Sequence, residues 1–352
     1  MASAEKGRLR AVAWSRGRLL ILDQTRLPGQ IRYLRPDSAR AVVGIIKRLA
    51  VRGAPAIGVA AAYGLALEAR RLPDAQLRPG LERAARWLVQ ARPTAVNLKH
   101  AVDRVIEHIH QPDLKPAQLR QAVLAEAQAI ETEETARSQA MARHGLRLIP
   151  DQAHVLTICN TGALAAPGLG TALGVVLLAH RNGRRVHVYA CETRPLLQGS
   201  RLTVLELQRA GVPVTLIVDS AAATVIDRCD LVLVGADRIA ANGDTANKVG
   251  TRMLALLAQA ARRPFYVVAP VSTFDPECPD GTHILVEERN GEEVRRFRSC
   301  RAAGPDVPVF NPAFDITPAQ LITGFVTEQG IIRPGLVKRW LARKQKRPRP
   351  KA

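Results

Sequence analysis

From about residue 152 the chain alternates short apolar runs with helix-length segments. That rhythm limits its fold more than any other feature. The runs are 154–159, 186–191, 213–218, 231–235 and 265–269. Short, evenly apolar strands separated by helices predict a parallel sheet covered by helices on both faces. Each run ends in polar residues: Cys159-Asn160-Thr161-Gly162, Cys191-Glu192-Thr193-Arg194, Asp219-Ser220, Gly235-Ala236-Asp237-Arg238 and Pro270-Val271-Ser272. In an open parallel sheet the carboxyl ends of all strands share one edge, and ligands bind there. Five polar clusters far apart in sequence should therefore converge on one site.

The preceding residues read differently. Residues 11–22 (AVAWSRGRLLIL) predict a hairpin turning at Arg16-Gly17. Helical patterns follow over 37–50, 55–70, 75–91, 95–110 and 116–144, punctuated by Pro28, Pro36, Pro73 and Pro93. The fold class is α/β. A mostly helical N-terminal domain with a short β start, 1–148, precedes a Rossmann-like α/β domain with a parallel sheet, 149–337. The last fifteen residues, 338–352 (KRWLARKQKRPRPKA), carry eight Lys or Arg and no acid, and read as a solvated, frayed tail.

Charge bears on partners. With 51 Lys+Arg against 31 Asp+Glu the net charge is +20, which brings a polyanion to mind. Yet 42 of those bases are Arg, and only three Trp, four Tyr and six Phe are available to stack on nucleobases. Specific nucleic-acid binding is not expected. The five cysteines are odd in number and form no CxxC pair, which argues against a disulfide framework or a zinc ribbon and for a reduced, cytoplasmic setting. Residues 1–10 lack the apolar stretch of a secretory signal. Residues 160–180 hold no Asp, Glu, Lys or Arg and just reach bilayer length. Their Gly, Ala and Pro167 suit a buried helix better, so no membrane contact is expected.

Individual residues suggest chemistry but do not fix it. Cys159 ends a buried strand and is read as facing a helix start at Thr161-Gly162, a setting that lowers a thiol pKa; a buried, inert thiol is the plainer alternative. Asp237 ends a strand among apolar neighbours, where burial favours an acid–base role, or it simply caps a turn. Arg52-Gly53-Ala54-Pro55 opens a helix in a way that suits an anion, or is a helix entry with Pro in the first turn. Gly243-Asp244-Thr245 reads as a turn and cap that puts Lys248 in the first turn of a helix, again suited to an anion, or as a surface lysine. Gly168-Leu169-Gly170 with Gly174 imitates a dinucleotide fingerprint, but it lies too far from its strand; close packing is the better reading. No ligand spacing for a metal is present.

Longer strings decide between these readings. VRGAPAIGVAAAYGL (51–65), ARPTAVNL (91–98), CNTGALA (159–165), CETRPLLQGSRLT (191–203), VGADRIAANGDTANKVGT (234–251) and NPAFDITPAQLIT (311–323) occur in order along the chain. In these strings the chain resembles the methylthioribose-1-phosphate isomerases, whose superfamily also includes the initiation factor 2B subunits and ribose-1,5-bisphosphate isomerase. The resemblance covers about residues 11–335. It implies catalytic roles for Cys159 and Asp237. It implies that Arg52, Gly53, Ala54, Arg92, Gln198, Asn247 and Lys248 line the substrate and phosphate site. Ile158, Lys99, His100 and Thr224 depart from the usual pattern without removing a catalytic residue. The implied activity is aldose–ketose isomerisation of 5-methylthioribose 1-phosphate in methionine salvage, with no cofactor or metal, by a cytoplasmic homodimer. Ribose-1,5-bisphosphate isomerase and a non-catalytic, initiation factor 2B-like regulatory subunit are the alternatives.

Overall fold

The computed structural model describes residues 9–92 and 96–345. Residues 1–8, residues 93–95 of the ARPTAVNL string and residues 346–352 of the basic tail lie outside them. The described residues form two compact units. One holds the residues up to Gln139 together with Thr161–Gly170; the other holds Ala140–Asn160 and the residues from Thr171 onward.

In the first unit β1 (Val12–Ser15) and β2 (Arg18–Leu22) form an antiparallel hairpin, and β3 (Tyr33–Leu34) adds to β2. Arg16 and Gly17 make its turn at φ 50° and 72°, the positive values a two-residue hairpin loop needs. Helices α1 (Ala39–Lys47), α2 (Ala54–Arg71), α3 (Leu77–Val89) and α4 (Val96–Ile109) follow, and α5 (Pro116–Leu146) begins here. All five helices lie where the periodicity predicts them. α2 is buried at every residue from Ala56 to Ala69. A helix with no polar face belongs at the centre of its unit. Its small residues admit α4 closely: a Cβ on Gly58 would stand 2.9 Å from the Asn97 carbonyl oxygen.

The second unit runs β4 (Gln152–Thr157), α6 (Ala172–Arg181), β5 (Arg185–Cys191), α7 (Val204–Arg209), β6 (Val214–Ile217), α8 (Ala222–Val225) and β7 (Leu231–Val234). Then come β8 (Arg238–Ala240), β9 (Thr245–Lys248), α9 (Thr251–Ala260), β10 (Phe265–Val268) and β11 (Phe274–Asp275). The remainder is α10 (Glu292–Arg295), β12 (Arg296–Phe297), β13 (Cys300–Arg301), β14 (Phe314–Thr317), β15 (Gly324–Thr327), β16 (Gly330–Ile332) and α11 (Val337–Gln345). The main sheet has seven strands in the order β16-β15-β10-β7-β4-β5-β6. All pairs are parallel except β15 with β16. The chain starts in the middle at β4, moves outward through β5 and β6, then returns to the other side of β4 with β7. The change of direction falls between β4 and β7, the place where a doubly wound sheet opens a crevice.

Each of the five apolar runs is a strand of this sheet. Three other expectations need correction. A second sheet, ordered β11-β8-β9-β14, surrounds the residues read as a cap and helix start. Lys248 ends strand β9, and α9 begins only at Thr251, behind Gly250 at φ 101°. The helix expected over 160–180 is confined to α6, from Ala172. The region read as a frayed tail opens with α11. There Val337 and Leu341 are buried, and Trp340 meets the Phe274 ring edge-on at 5.2 Å. No helix among the described residues is long and apolar enough to cross a membrane.

Candidate active site

β4 and β7 are neighbours, paired at Leu156 with Val232, and Thr157 Oγ1 donates to the Leu233 carbonyl at 2.7 Å. Adjacent strands lie about 4.8 Å apart. The loops that leave their carboxyl ends therefore open side by side at the switch point. One carries Cys159 and the other Asp237.

Cys159 is buried and holds φ at 65°, in the left-handed region that a residue with a side chain seldom enters. Its amide donates to Thr193 Oγ1 at 2.8 Å, and its carbonyl accepts from Thr203 Oγ1 at 2.6 Å. Thr193, just past β5, is also left-handed, at φ 68°. The amides of Thr193 and Arg194 donate to the two oxygens of Asp219, which follows β6, at 2.8 and 2.7 Å. One chain of bonds thus ties together the ends of β4, β5 and β6. The reading of Cys159 at a helix start is corrected: Thr161–Gly170 form turns and bends. In that segment Gly168 and Gly170 are packing glycines, since a Cβ would stand 2.9 Å from Ser138 Oγ and 2.3 Å from the Thr161 carbonyl oxygen respectively.

Gln198 leads into a π-helical turn, Gly199–Thr203, a distortion common at functional sites. The turn presses onto β5 so tightly that a Cβ on Gly199 would lie 1.7 Å from the Cys191 carbonyl oxygen. Gln198 is 5% exposed, and its Oε1 has no hydrogen-bond partner among the described residues. A buried acceptor left so costs roughly 1–3 kcal/mol, which a ligand hydroxyl would relieve.

Asp237 is half-buried, and its amide donates to the Ala246 carbonyl at 2.9 Å, which sets it beside β9. Asn247 is buried, with Nδ2 donating to Thr251 Oγ1 at 2.9 Å. Lys248 Nζ donates to the Ala313 carbonyl at 2.8 Å and lies 4.9 Å from the centre of the Phe314 ring. Across the strand pair from Asn247 stands Asp315, which accepts from the amides of Gly250 at 2.7 Å and Arg252 at 3.1 Å. Burial pushes the Asp315 carboxyl up to about 6, against the pull of those amides and of Arg252 and Lys248. The turn after Lys248 packs on the residue before Cys159: a Cβ on Gly250 would stand 2.6 Å from Ile158 Cδ1. The second unit thus gathers Cys159, Asp237, Gln198, Asn247 and Lys248 along one sheet edge. Thr193, Thr203, Asp219 and Asp315 hold that edge together and were not singled out from the sequence. Only the polar strand ends hinted at Thr193 and Asp219.

The remaining named residues belong to the first unit. Gly53, at φ 89°, turns the chain into α2, with Pro55 in its first turn. A Cβ there would stand 2.3 Å from the Ala165 carbonyl oxygen, which accepts the Ala56 amide at 3.2 Å. The helix entry and the anion-suited turn are one structure, with Arg52 half-buried before it and the Ala54 amide at the head of an 18-residue helix. Arg92 is half-buried, just ahead of residues 93–95. Of the departures from the usual pattern, Lys99, His100 and Thr224 are exposed and Ile158 is buried.

Relatives match nearly the whole chain in sequence and fold. A model of the initiation factor 2 subunit family matches residues 50–334. Methylthioribose-1-phosphate isomerase of Heliobacterium modesticaldum is 51% identical over 329 residues, 91% of this chain and 95% of its own. The chain belongs to the methylthioribose-1-phosphate isomerase family. A crystal structure of 5-methylthioribose 1-phosphate isomerase from Pyrococcus horikoshii OT3 superposes with a TM-score of 0.90 at 39% identity, over 97% of this chain and 98% of that one. The delta subunit of translation initiation factor 2B from A. fulgidus superposes at 0.85 and 41% identity, over 94% and 97%. Within the isomerase family fold, the switch point of this chain carries a thiol and a carboxyl on adjacent loops, with a lysine on the strand next to them.

Proposed function

We propose that the chain converts 5-methylthioribose 1-phosphate to 5-methylthioribulose 1-phosphate, an aldose–ketose isomerisation in methionine salvage. The observation that carries this reading is the pair of loops at the switch point, one bearing Cys159 and the other Asp237. In our reading these two are the catalytic residues. Arg52, Gly53, Ala54, Arg92, Gln198, Asn247 and Lys248 bind the substrate and its phosphate.

The chemistry follows from the substrate. Its phosphate sits on the anomeric oxygen, so the ring cannot open as a free hemiacetal does. An acid must protonate the ring oxygen as the C1–O4 bond breaks, and Asp237 supplies that proton. Hydrogen then moves from C2 to C1 by one of two routes. In the first, Cys159 as base takes the C2 proton, an enol forms, and a proton is returned to C1 as the O2 proton is lost to give the ketone. In the second, hydride passes from C2 to C1, the O2 proton is lost, and Cys159 stabilises the charge that develops. The cations Arg52, Arg92 and Lys248 hold the phosphate dianion and keep the sugar oriented. No cofactor takes part in either route. We also propose that the enzyme acts in the cytoplasm as a homodimer, an assembly that sedimentation of the purified protein tests.

A coupled assay on the purified chain with 5-methylthioribose 1-phosphate tests the activity. Turnover of ribose 1,5-bisphosphate in preference, or of neither sugar, overturns the reading; the second outcome favours a regulatory subunit. Substrate deuterated at C2 separates the routes. Label retained at C1 in water assigns the hydride shift, and wash-out assigns proton transfer.

A further inference from the structure

We propose that the first unit carries a second anion site, made for a small polyphosphate: a di- or triphosphate group, free or borne by a nucleoside. The site is a depression of about 440 Å³ beside the β1–β2 turn, lined by Arg18, Arg35, Arg70, Arg71, Asp37 and Gly17. It shares no residue with the proposed substrate site and does not depend on the isomerase reading.

Two of these arginines have a structural reason to be there. Arg70 and Arg71 occupy the last turn of α2, where cations offset the negative end of the helix. Arg71 pairs with the buried Glu68 at 2.6 Å, and Arg70 donates to the Gly17 carbonyl and stands over the Trp14 ring at 5.9 Å. Arg18 and Arg35 have no such reason. Both are exposed, at the start of β2 and just before α1, and neither has an acidic partner within 4.0 Å among the described residues. Four guanidinium groups therefore share one hollow with Asp37, which accepts a bond from Ser38, and of the four Arg71 is balanced by its pair with Glu68.

Gathering like charges at a surface is unfavourable and only partly screened by salt. One ligand with several negative charges relieves it at Arg18, Arg35 and Arg70 at once. The planar guanidinium fork matches phosphate oxygens two at a time, which makes a phosphate chain a better fit than a carboxylate. The volume lies in the range of roughly 300–1,000 Å³ that takes small ligands. That suits a triphosphate, whereas a nucleic-acid strand would need a groove extended along the surface. The Arg70 bond to Gly17 and the Arg71 bond to Glu68 hold two of the four groups in place before any ligand arrives.

Calorimetric titration of the full chain with inorganic tripolyphosphate and, separately, with ATP tests the site. Three proteins are compared: the wild type, Arg18→Ala/Arg35→Ala, and Arg143→Ala/Arg181→Ala, which removes the same charge from exposed positions elsewhere. The first double substitution should weaken both ligands at least about tenfold, as expected for lost charge-assisted bonds, and leave isomerase turnover unchanged. The second should leave both affinities near the wild-type values. ATP and tripolyphosphate binding alike shows that the phosphate chain alone is read; tighter ATP shows that the nucleoside is read too. Equal weakening by the two double substitutions overturns the site, because net charge then explains the binding. Undiminished binding to Arg18→Ala/Arg35→Ala overturns it as well, since the ligand then sits elsewhere.

Discussion

The amide of Cys159 donates to the hydroxyl of Thr193 at 2.8 Å, and both residues hold a left-handed backbone, φ 65° and 68°. Such conformations cost on the order of 1–3 kcal/mol each and persist where surrounding bonds enforce them. Here the enforcing bonds run from Thr203 to the Cys159 carbonyl and from the Thr193 and Arg194 amides to Asp219. The thiol is held at the mouth of the switch point by this frame. Thr193 is thus a positioning residue. Thr193→Val keeps the shape but removes the acceptor, leaving a buried amide unpaired. Unfolding stability should fall by about 1–3 kcal/mol, and kcat should fall about tenfold or more with KM little changed. Thr193→Ser should restore kcat. Steady-state kinetics with denaturant titration check this, and a KM effect alone would reduce Thr193 to a purely structural role.

Cys159→Ser and Asp237→Asn each remove one proton-handling group and change little volume. Each should lower kcat by roughly 10²–10⁴ while circular dichroism and the thermal midpoint stay near those of the wild type. Near-normal turnover in either variant removes that residue from the catalytic pair.

Much of this architecture was legible because the residues that fix it are contiguous. The five apolar runs, the Arg16-Gly17 turn and the helices of the first unit depend on periods of two or 3.6 residues within a single segment. Convergence of the polar strand ends followed from parallel topology alone. The second sheet was not legible, because β9 is four residues long and its partner β14 lies more than sixty residues away. The string TANK has no alternation of its own, so a local turn-and-cap reading won, and Lys248 was put on a helix. Asp315 stayed hidden for the same reason: its role depends on the register that sets it opposite Asn247. The left-handed backbones of Cys159 and Thr193 leave no trace in residue type, since neither is Gly or Asn. Val337, Trp340 and Leu341 did carry a helical i, i+3, i+4 signal, but the density of Lys and Arg around them masked it.

Asp315 makes stability depend on pH in a definite direction. Its carboxyl titrates near 3.8 in the unfolded chain and is raised to about 6 in the fold by burial. Between these values the folded state keeps a proton that the unfolded chain releases, so stability falls as pH rises through that window. Below it both states are protonated and no penalty applies; above it the full penalty applies, on the order of 2–3 kcal/mol. Asp315→Asn removes the titration while an amide oxygen still accepts a bond at the start of α9. The stability of the wild type minus that of the variant should therefore drop as pH rises from 4 to 7. Denaturant midpoints across that range measure it, and a flat difference contradicts the assignment.

The C-terminal helix tests whether the basic region is more than a solvated appendage. Val337 and Leu341 are buried, and the half-buried Trp340 ring lies edge-on to Phe274, which in turn meets Phe325 of β15 at 5.5 Å. The helix thus closes one side of the core beneath β15, although exposed bases flank its apolar stripe. Trp340→Ala deletes a large apolar surface and the edge contact together. A fully buried Trp loses about 3–5 kcal/mol on such truncation, and the partial exposure of Trp340 reduces this to roughly 2–3 kcal/mol. Neutralising Lys338 and Arg339, which are exposed on the same helix, should change stability by less than about 0.5 kcal/mol. Denaturant unfolding of the two variants checks the contrast. Equal small effects would return the helix to the status of a frayed tail; a large effect from Trp340→Ala alone makes residues 337–341 part of the fold.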